Sequence, residues 1–151
     1  MYEGEMLKYG CINPENKTAV PVTMAASQTI VAASGKFVYM SDGSATLCAD
    51  STTYIFGWIE TEADSSTSAE VRNCIIDLSA MFRIPVNAGT YVVGMQGDLC
   101  DISISSNVQG ANLSTSTENQ LILANGDTTN NKWVDVMINP AVQGASLGCD
   151  A

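Results

Sequence analysis

The side chains that could do chemistry are carboxylates and thiols, because the 151-residue sequence contains no histidine. Asp98 and Asp101 flank Leu99-Cys100, and Glu60, Glu62 and Asp64 alternate. Two carboxyl groups facing each other across a cleft could hydrolyse a glycosidic bond, one as acid and the other as base or nucleophile. Spacing in sequence does not set them across a cleft, and the alternating acids fit the solvated end of a strand. Residues 125–131, NGDTTNN, offer calcium-type oxygen donors. They lack the spacing of an EF-hand and its closing bidentate Glu, so a hairpin turn is the expectation. The five cysteines (Cys11, Cys48, Cys74, Cys100 and Cys149) are odd in number and include no CxxC pair. Without histidine, Cys/His zinc sites and Ser/His or Cys/His nucleophiles are excluded. No P-loop, GxGxxG or GxSxG occurs. The thiols are expected to be small buried hydrophobes in a reducing compartment. No catalytic residue, metal site or cofactor is expected, and the chain reads as a structural or binding protein rather than an enzyme.

The elements that must position these groups are short and strand-like. Apolar runs at 20–24, 28–32, 36–40, 45–49, 54–60, 71–78, 82–86, 91–95, 99–104, 120–124 and 132–138 alternate with turn signals. Regular short runs of this kind predict an all-β fold of small β-barrel or sandwich modules. Asp42-Gly43 between two apolar runs is a hairpin signal, since both residues tolerate positive φ; Gly126 is read as a second turn glycine. In 54–60, Tyr54, Phe56 and Trp58 take one face while Ile55, Gly57 and Ile59 take the other, which predicts a central strand covered on both sides. Gly57 is expected at a bulge or close backbone approach. Phe56, Trp58, Val134 and Val136 are expected in the core. Pro21 and Pro85 mark edge-like strands, and 79–82 could add one helical turn. No repeat is legible: the even spacing of Cys48, Cys74 and Cys100 has no matching flanks. The chain divides into an extended N-terminal arm (1–24), a first β module (25–66) and a second β module (67–151) with a short tail, the Ser-rich acidic stretch 61–70 reading as a long loop or boundary between the two halves.

Six Lys and Arg against sixteen Asp and Glu give a net charge of −10. Phosphate neutralisation needs the opposite balance, so direct nucleic-acid binding is not expected, nor is attraction to an anionic membrane. No apolar run approaches the ~20 residues of a membrane helix. The acidic MYEGEMLKYG start has no apolar core of a signal peptide. Charged residues make up only 15%, and a β surface of small polar residues suits contact with other proteins. The arm could add a strand to a neighbour's sheet edge, with Tyr2, Leu7, Lys8, Tyr9 and Lys17 as contact residues.

Two stretches carry a resemblance. Residues 34–61, SGKFVYMSDGSATLCADSTTYIFGWIET, resemble the core of head-decoration, or capsid-cementing, proteins of tailed bacteriophages: small-Gly-x-aromatic-Val, Asp-Gly, apolar-Cys, then Ile-x-Gly-x-Ile. Residues 84–140 are similar to the second β module of such virion proteins, with Pro-x-x-x-Gly-Thr, Gly-Asp-Leu-Cys-Asp and Asn-Lys-x-Val-x-Val-x-Ile-Asn in that order. The resemblance implies a homo-oligomer, a trimer above all, on the outer surface of an icosahedral capsid assembled in the host cytoplasm. Its partner would be the major capsid protein, whose subunit junctions it would reinforce, with Lys8 and Lys17 meeting acidic capsid patches. The alternative is a carbohydrate- or receptor-binding β module of a viral fibre or surface adhesin, with Trp58 and Trp133 as the stacking platforms.

Overall fold

The computed structural model describes residues 9–61 and 70–143, and their fold is all-β. The first closed barrel is built from β2 (Ala19–Met24), β3 (Phe37–Ser41), β4 (Ser44–Leu47), β5 (Gly57–Ile59) and β6 (Val71–Ile75), in the cyclic order β2-β4-β3-β5-β6. β2 and β4 run parallel and every other pair is antiparallel. The hairpin β3–β4 turns on Asp42 and Gly43, with φ of 51° and 79°, as the Asp-Gly signal predicts. Alternation sends Val38 inward with Val22, Met24, Ala45, Ile59 and Cys74, and Ile30 joins them from the β2–β3 connection.

A second sheet holds β1 (Gly10–Cys11), β7 (Phe82–Ala88), β8 (Leu99–Ser105), β9 (Val108–Asn112), β10 (Leu121–Gly126) and β11 (Trp133–Ile138), in the order β1-β7-β11-β10-β8-β9. β7 pairs along one edge with β11. Along the other it meets β1 at Arg83 and Phe82, then β9 at Val86 and Ala88. The β7–β9 pairing joins the sheet's ends, so five strands form a closed circuit with β1 laid beside it. Closure leaves few unpaired strand edges.

Between the barrels lies one aromatic cluster. Trp58 stacks on Phe82 at 4.5 Å, and Phe37 meets both edge-on at 4.8 and 5.3 Å, arrangements favoured by ring quadrupoles. Trp58 and Phe37 point out of the first barrel while Ile59 and Val38 point into it, so β3 and β5 are covered on both faces. Gly57 is required by a close approach: a Cβ there would stand 2.4 Å from the Ile75 carbonyl oxygen and 2.6 Å from Cys74 Sγ.

Both ends of the described chain cross to the opposite barrel. Beside the β1–β7 pairing, Ile12 N donates to Met81 O (2.8 Å), and Asn13 exchanges side-chain bonds with Ser79 O and Met81 N (3.1 and 2.8 Å). After β11, a 3-10 turn at Pro140–Val142 returns to the first barrel. There Ile55 N donates to Val142 O, and the Gln143 amide donates to Phe56 O and Ile76 O.

Several expectations change. Ala19–Met24, assigned to the arm, and Val71–Ile75, assigned to the second module, are barrel strands that complete the first circuit. Pro21 does not make β2 an edge, because pairing with β4 begins only at Thr23. Residues 91–95 form a 3-10 turn, Val93–Met95, rather than a strand. The run 28–32 contributes only an isolated bridge at Ile30, and 79–82 has no helical turn. β9 was not expected: VQGAN has Gln and Gly where apolar alternation would be, and its signal is the two-residue turn before it.

Candidate functional site

The groups with chemical potential are drawn into architecture. Asp101, on β8, is buried, and its carboxylate accepts four donors: Thr115 Oγ1 (2.9 Å), Thr117 N (2.9 Å), Glu118 N (3.0 Å) and Asn119 N (2.8 Å). Three backbone N–H groups turned onto one carboxylate hold the β9–β10 connection in place. Asp98 is exposed, immediately before β8. The expected acid pair is therefore a structural anchor and a surface carboxylate. Asp127 plays a similar part in the 127–132 turn, where its oxygens accept from Thr129 N, Asn130 N and Lys132 N at 3.0 to 3.1 Å. These bonds hold its pKa below the ordinary value, the Asn130 N–H contributing most. The expected hairpin turn is present, but Gly126 is not part of it: it is the last residue of β10, paired with Val134, where a Cβ would stand 2.4 Å from the Tyr91 ring.

Among the described residues, no group of three Cys, Asp or Glu side chains is placed to hold a metal. Cys48, Cys74 and Cys100 are buried free thiols. Desolvation pushes Cys74 and Cys100 up to about 12 and Cys48 higher than its ordinary value. These three are filled space rather than nucleophiles. Cys11 is half-buried, and burial raises it too.

The expected stacking platforms are occupied. Trp58 is 1% exposed. Trp133 carries the Arg83 guanidinium 3.7 Å over its ring, and the same guanidinium makes a two-bond ion pair with the buried Asp135 at 2.8 and 3.0 Å.

Of the expected contact residues, Tyr2, Leu7 and Lys8 lie outside the described residues. Tyr9 and Lys17 are engaged with the chain itself: the Tyr9 hydroxyl donates to Lys132 O at 3.4 Å, and Lys17 Nζ donates to Ser79 Oγ at 3.0 Å. The arm from Tyr9 to Asn13 is docked along β7, so its described part is an intramolecular strap.

What sequence reasoning missed is an apolar rim on the second barrel. The connection between β7 and β8 exposes Val92 (53%) and Val93 (74%), and Leu99 (39%) stands at the start of β8. Leu99 also lines a pocket of about 180 Å³, together with Met95, Asp98, Cys100, Leu113, Ser114–Ser116 and Leu123. The alternation that made 91–95 read as a strand concealed these residues. In a strand, Val93 would share a face with Tyr91, which is buried. The 3-10 turn rotates it outward instead. No protein-family model matches the chain, and no curated protein matches it.

Proposed function

We propose that this chain is a structural virion protein that binds the outer surface of an icosahedral phage capsid and stabilises junctions between major capsid proteins, without turnover. The observation that carries the reading is a division of labour. Asp101, Asp135, the Arg83 guanidinium and the two tryptophans, which could serve catalysis or sugar stacking, are spent on internal contacts, while Val92, Val93 and Leu99 face solvent on a doubly strapped frame. Adjacent exposed apolar residues on a rigid support mark a protein-contact surface. The resemblance at 34–61 and 84–140 supplies the partner. Cementing works by repetition, in which modest contacts to several subunits sum to high avidity, and a stiff frame limits the entropy lost on docking. A net charge of −10 favours a partner surface with basic patches.

Incubation with undecorated phage heads followed by sedimentation tests the reading. Co-sedimentation at a fixed ratio to the major capsid protein is the expected result, and light scattering of the free protein reports whether a trimer forms first. The double variant Val92→Asp/Val93→Asp, at positions already exposed, should fold normally and lose at least tenfold in head affinity. Wild-type protein that stays in the supernatant ends the capsid reading.

A further inference from the structure

We infer that the chain is a tandem duplication of one five-stranded barrel, in which β7 to β11 repeat β2 to β6 strand for strand and in matching register apart from two bulges in the second unit. The connectivity is the same in both: the first and third strands of each unit pair in parallel, and every other neighbour is antiparallel.

The hairpins fix the starting point. Ser41 opposes Ser44 across Asp42-Gly43, and Ser105 opposes Val108 across Ser106-Asn107. All four turn residues have positive φ, the signature of one two-residue turn type. This sets Val38 on Ile102, and their partners Leu47 and Ala111 agree. From there each pairing dictates the next. Phe37 opposite Trp58 and Cys100 opposite Leu121 bring Ile59 onto Leu121. Ile59 opposite Cys74 and Leu121 opposite Ile138 bring Cys74 onto Ile138. Arg72 opposite Val22 and Val136 opposite Phe82 bring Val22 onto Phe82, and therefore Thr23 onto Arg83.

The first and third strands of each unit, both already matched, must then pair in the same register. Thr23 pairs with Ser44, whose counterpart is Val108. Val86 pairs with Ala111, a register that run back three residues matches Arg83 to Val108, although β1 takes over the edge there and Arg83 pairs with Gly10. In the Val86 register the circuit closes, and the second unit departs from it by one residue at the Val86/Ala88 bulge. Outside that bulge and a second one between Leu123 and Asn125, the two units share strand number and stagger, the quantities that define a barrel.

Burial follows the same map. The inward residues Val22, Met24, Val38, Ile59 and Cys74 correspond to Phe82, Ile84, Ile102, Leu121 and Ile138, all buried. Divergence falls at one inward position, where Gln109 stands in the place of Ala45, and on the outward face of the second and fourth strands. Phe37 and Trp58, which receive the second barrel, have Asp101 and Gln120 at their places. Asp101 binds its own β9–β10 connection, and Gln120 reaches across to Ala49 O and Thr52 O. The first copy thus keeps an aromatic docking face, and the second has converted that face to polar anchors, so the stacking of copies ends at two.

Cross-strand nuclear Overhauser effects on the isotopically labelled full chain test the duplication. Expected are contacts between Ile59 and Cys74 matched by Leu121 and Ile138, between Val22 and Arg72 matched by Phe82 and Val136, and the closing contact of Val86 with Ala111. An open second sheet lacking the Val86–Ala111 contact, or any one of these pairings displaced by a single residue, would overturn it.

Discussion

The two barrels solve one topology with different fillings. The first closes tightly on small residues: Ala45 and Cys74 line it, and Gly57 lets the β5 backbone press against β6. Its interior is a cluster of its own. The second places Phe82 and Ile84 where the first has Val22 and Met24, and its interior runs without a break into the Phe37–Trp58 interface. A perturbation inside the first barrel should therefore stay local, whereas one at the junction should be felt by both.

The largest effect is expected at that junction. Trp58→Ala removes the ring stacked on Phe82 and opens a cavity facing both barrels, at a cost of about 3–5 kcal/mol. Ile59→Val, one residue along and inside the first barrel, should cost only about 0.5–1.5 kcal/mol. Urea unfolding of the two variants measures the contrast. A Trp58 variant no weaker than the Ile59 variant would mean that the aromatic cluster is not a shared core.

Next in size is Gln109, which stands where the first barrel has Ala45 and is fully buried. Its amide accepts from Phe37 N (2.9 Å) and donates to Phe37 O and Cys48 O (3.0 and 2.9 Å). A strand of the second barrel thus completes the backbone bonding of the first. Gln109→Ala restores the residue type of the other copy but takes the side-chain partner from Phe37 N and Cys48 O, each worth about 1–3 kcal/mol, while Phe37 O keeps the Cys48 N–H. The expected signature is a lower denaturation midpoint together with faster amide exchange at Phe37. Unchanged exchange there would show that Phe37 finds other partners.

A smaller effect separates the turns by pH. The folded pKa of Asp127 lies below its ordinary 3.8, so its stabilisation of the 127–132 turn is fully present above that value. It is lost as pH falls through the lower folded value. Amide exchange at Asn130 and Lys132 should accelerate in that acid window, and in Asp127→Ala it should already be fast at neutral pH. Protection that persists in the variant would mean that the turn holds itself without the carboxylate.

Much of this was legible from the residues. Alternation and turn spacing gave the fold class, Asp42-Gly43 the first hairpin, and Gly57 the close approach; Trp58, Val134 and Val136 are buried as expected, while Phe56 is half-buried. The duplication was not legible, for a physical reason. A barrel demands only that inward positions be apolar, so Val22 became Phe82 and Cys74 became Ile138 without penalty to the fold. The outward face was free to turn from Phe37 and Trp58 into Asp101 and Gln120. The connections also differ in length, which removes any constant period. β9 was hidden because Gln109, the residue that would mark it as buried, is polar and finds its partners in the other barrel. The rim at Val92 and Val93 was misread because a period of two residues cannot distinguish a strand from a short turn that rotates one side chain outward.

The two hairpins offer the finest comparison, because one turn is filled by different residues. Gly43 has φ of 79°, and its counterpart Asn107 has φ of 67°. The left-handed region costs an L-residue about 1–2 kcal/mol, and less for Asn, whose side chain can bond locally. Glycine removes that strain but brings a more mobile unfolded chain, which takes part of the gain back. The balance predicts that Asn107→Gly raises stability by about 0.5 kcal/mol and that Gly43→Asn lowers it by a similar amount. A β-branched residue shows the constraint more sharply: Gly43→Val and Asn107→Val should each lose about 1–2 kcal/mol, since both positions require positive φ. Denaturant midpoints of the four variants give the comparison directly. Matching losses for the two valines would show the same turn in both copies. A tolerated valine at position 107 would mean that the second hairpin relaxes into another turn, and the register equivalence that starts from Ser105 and Val108 would fall with it.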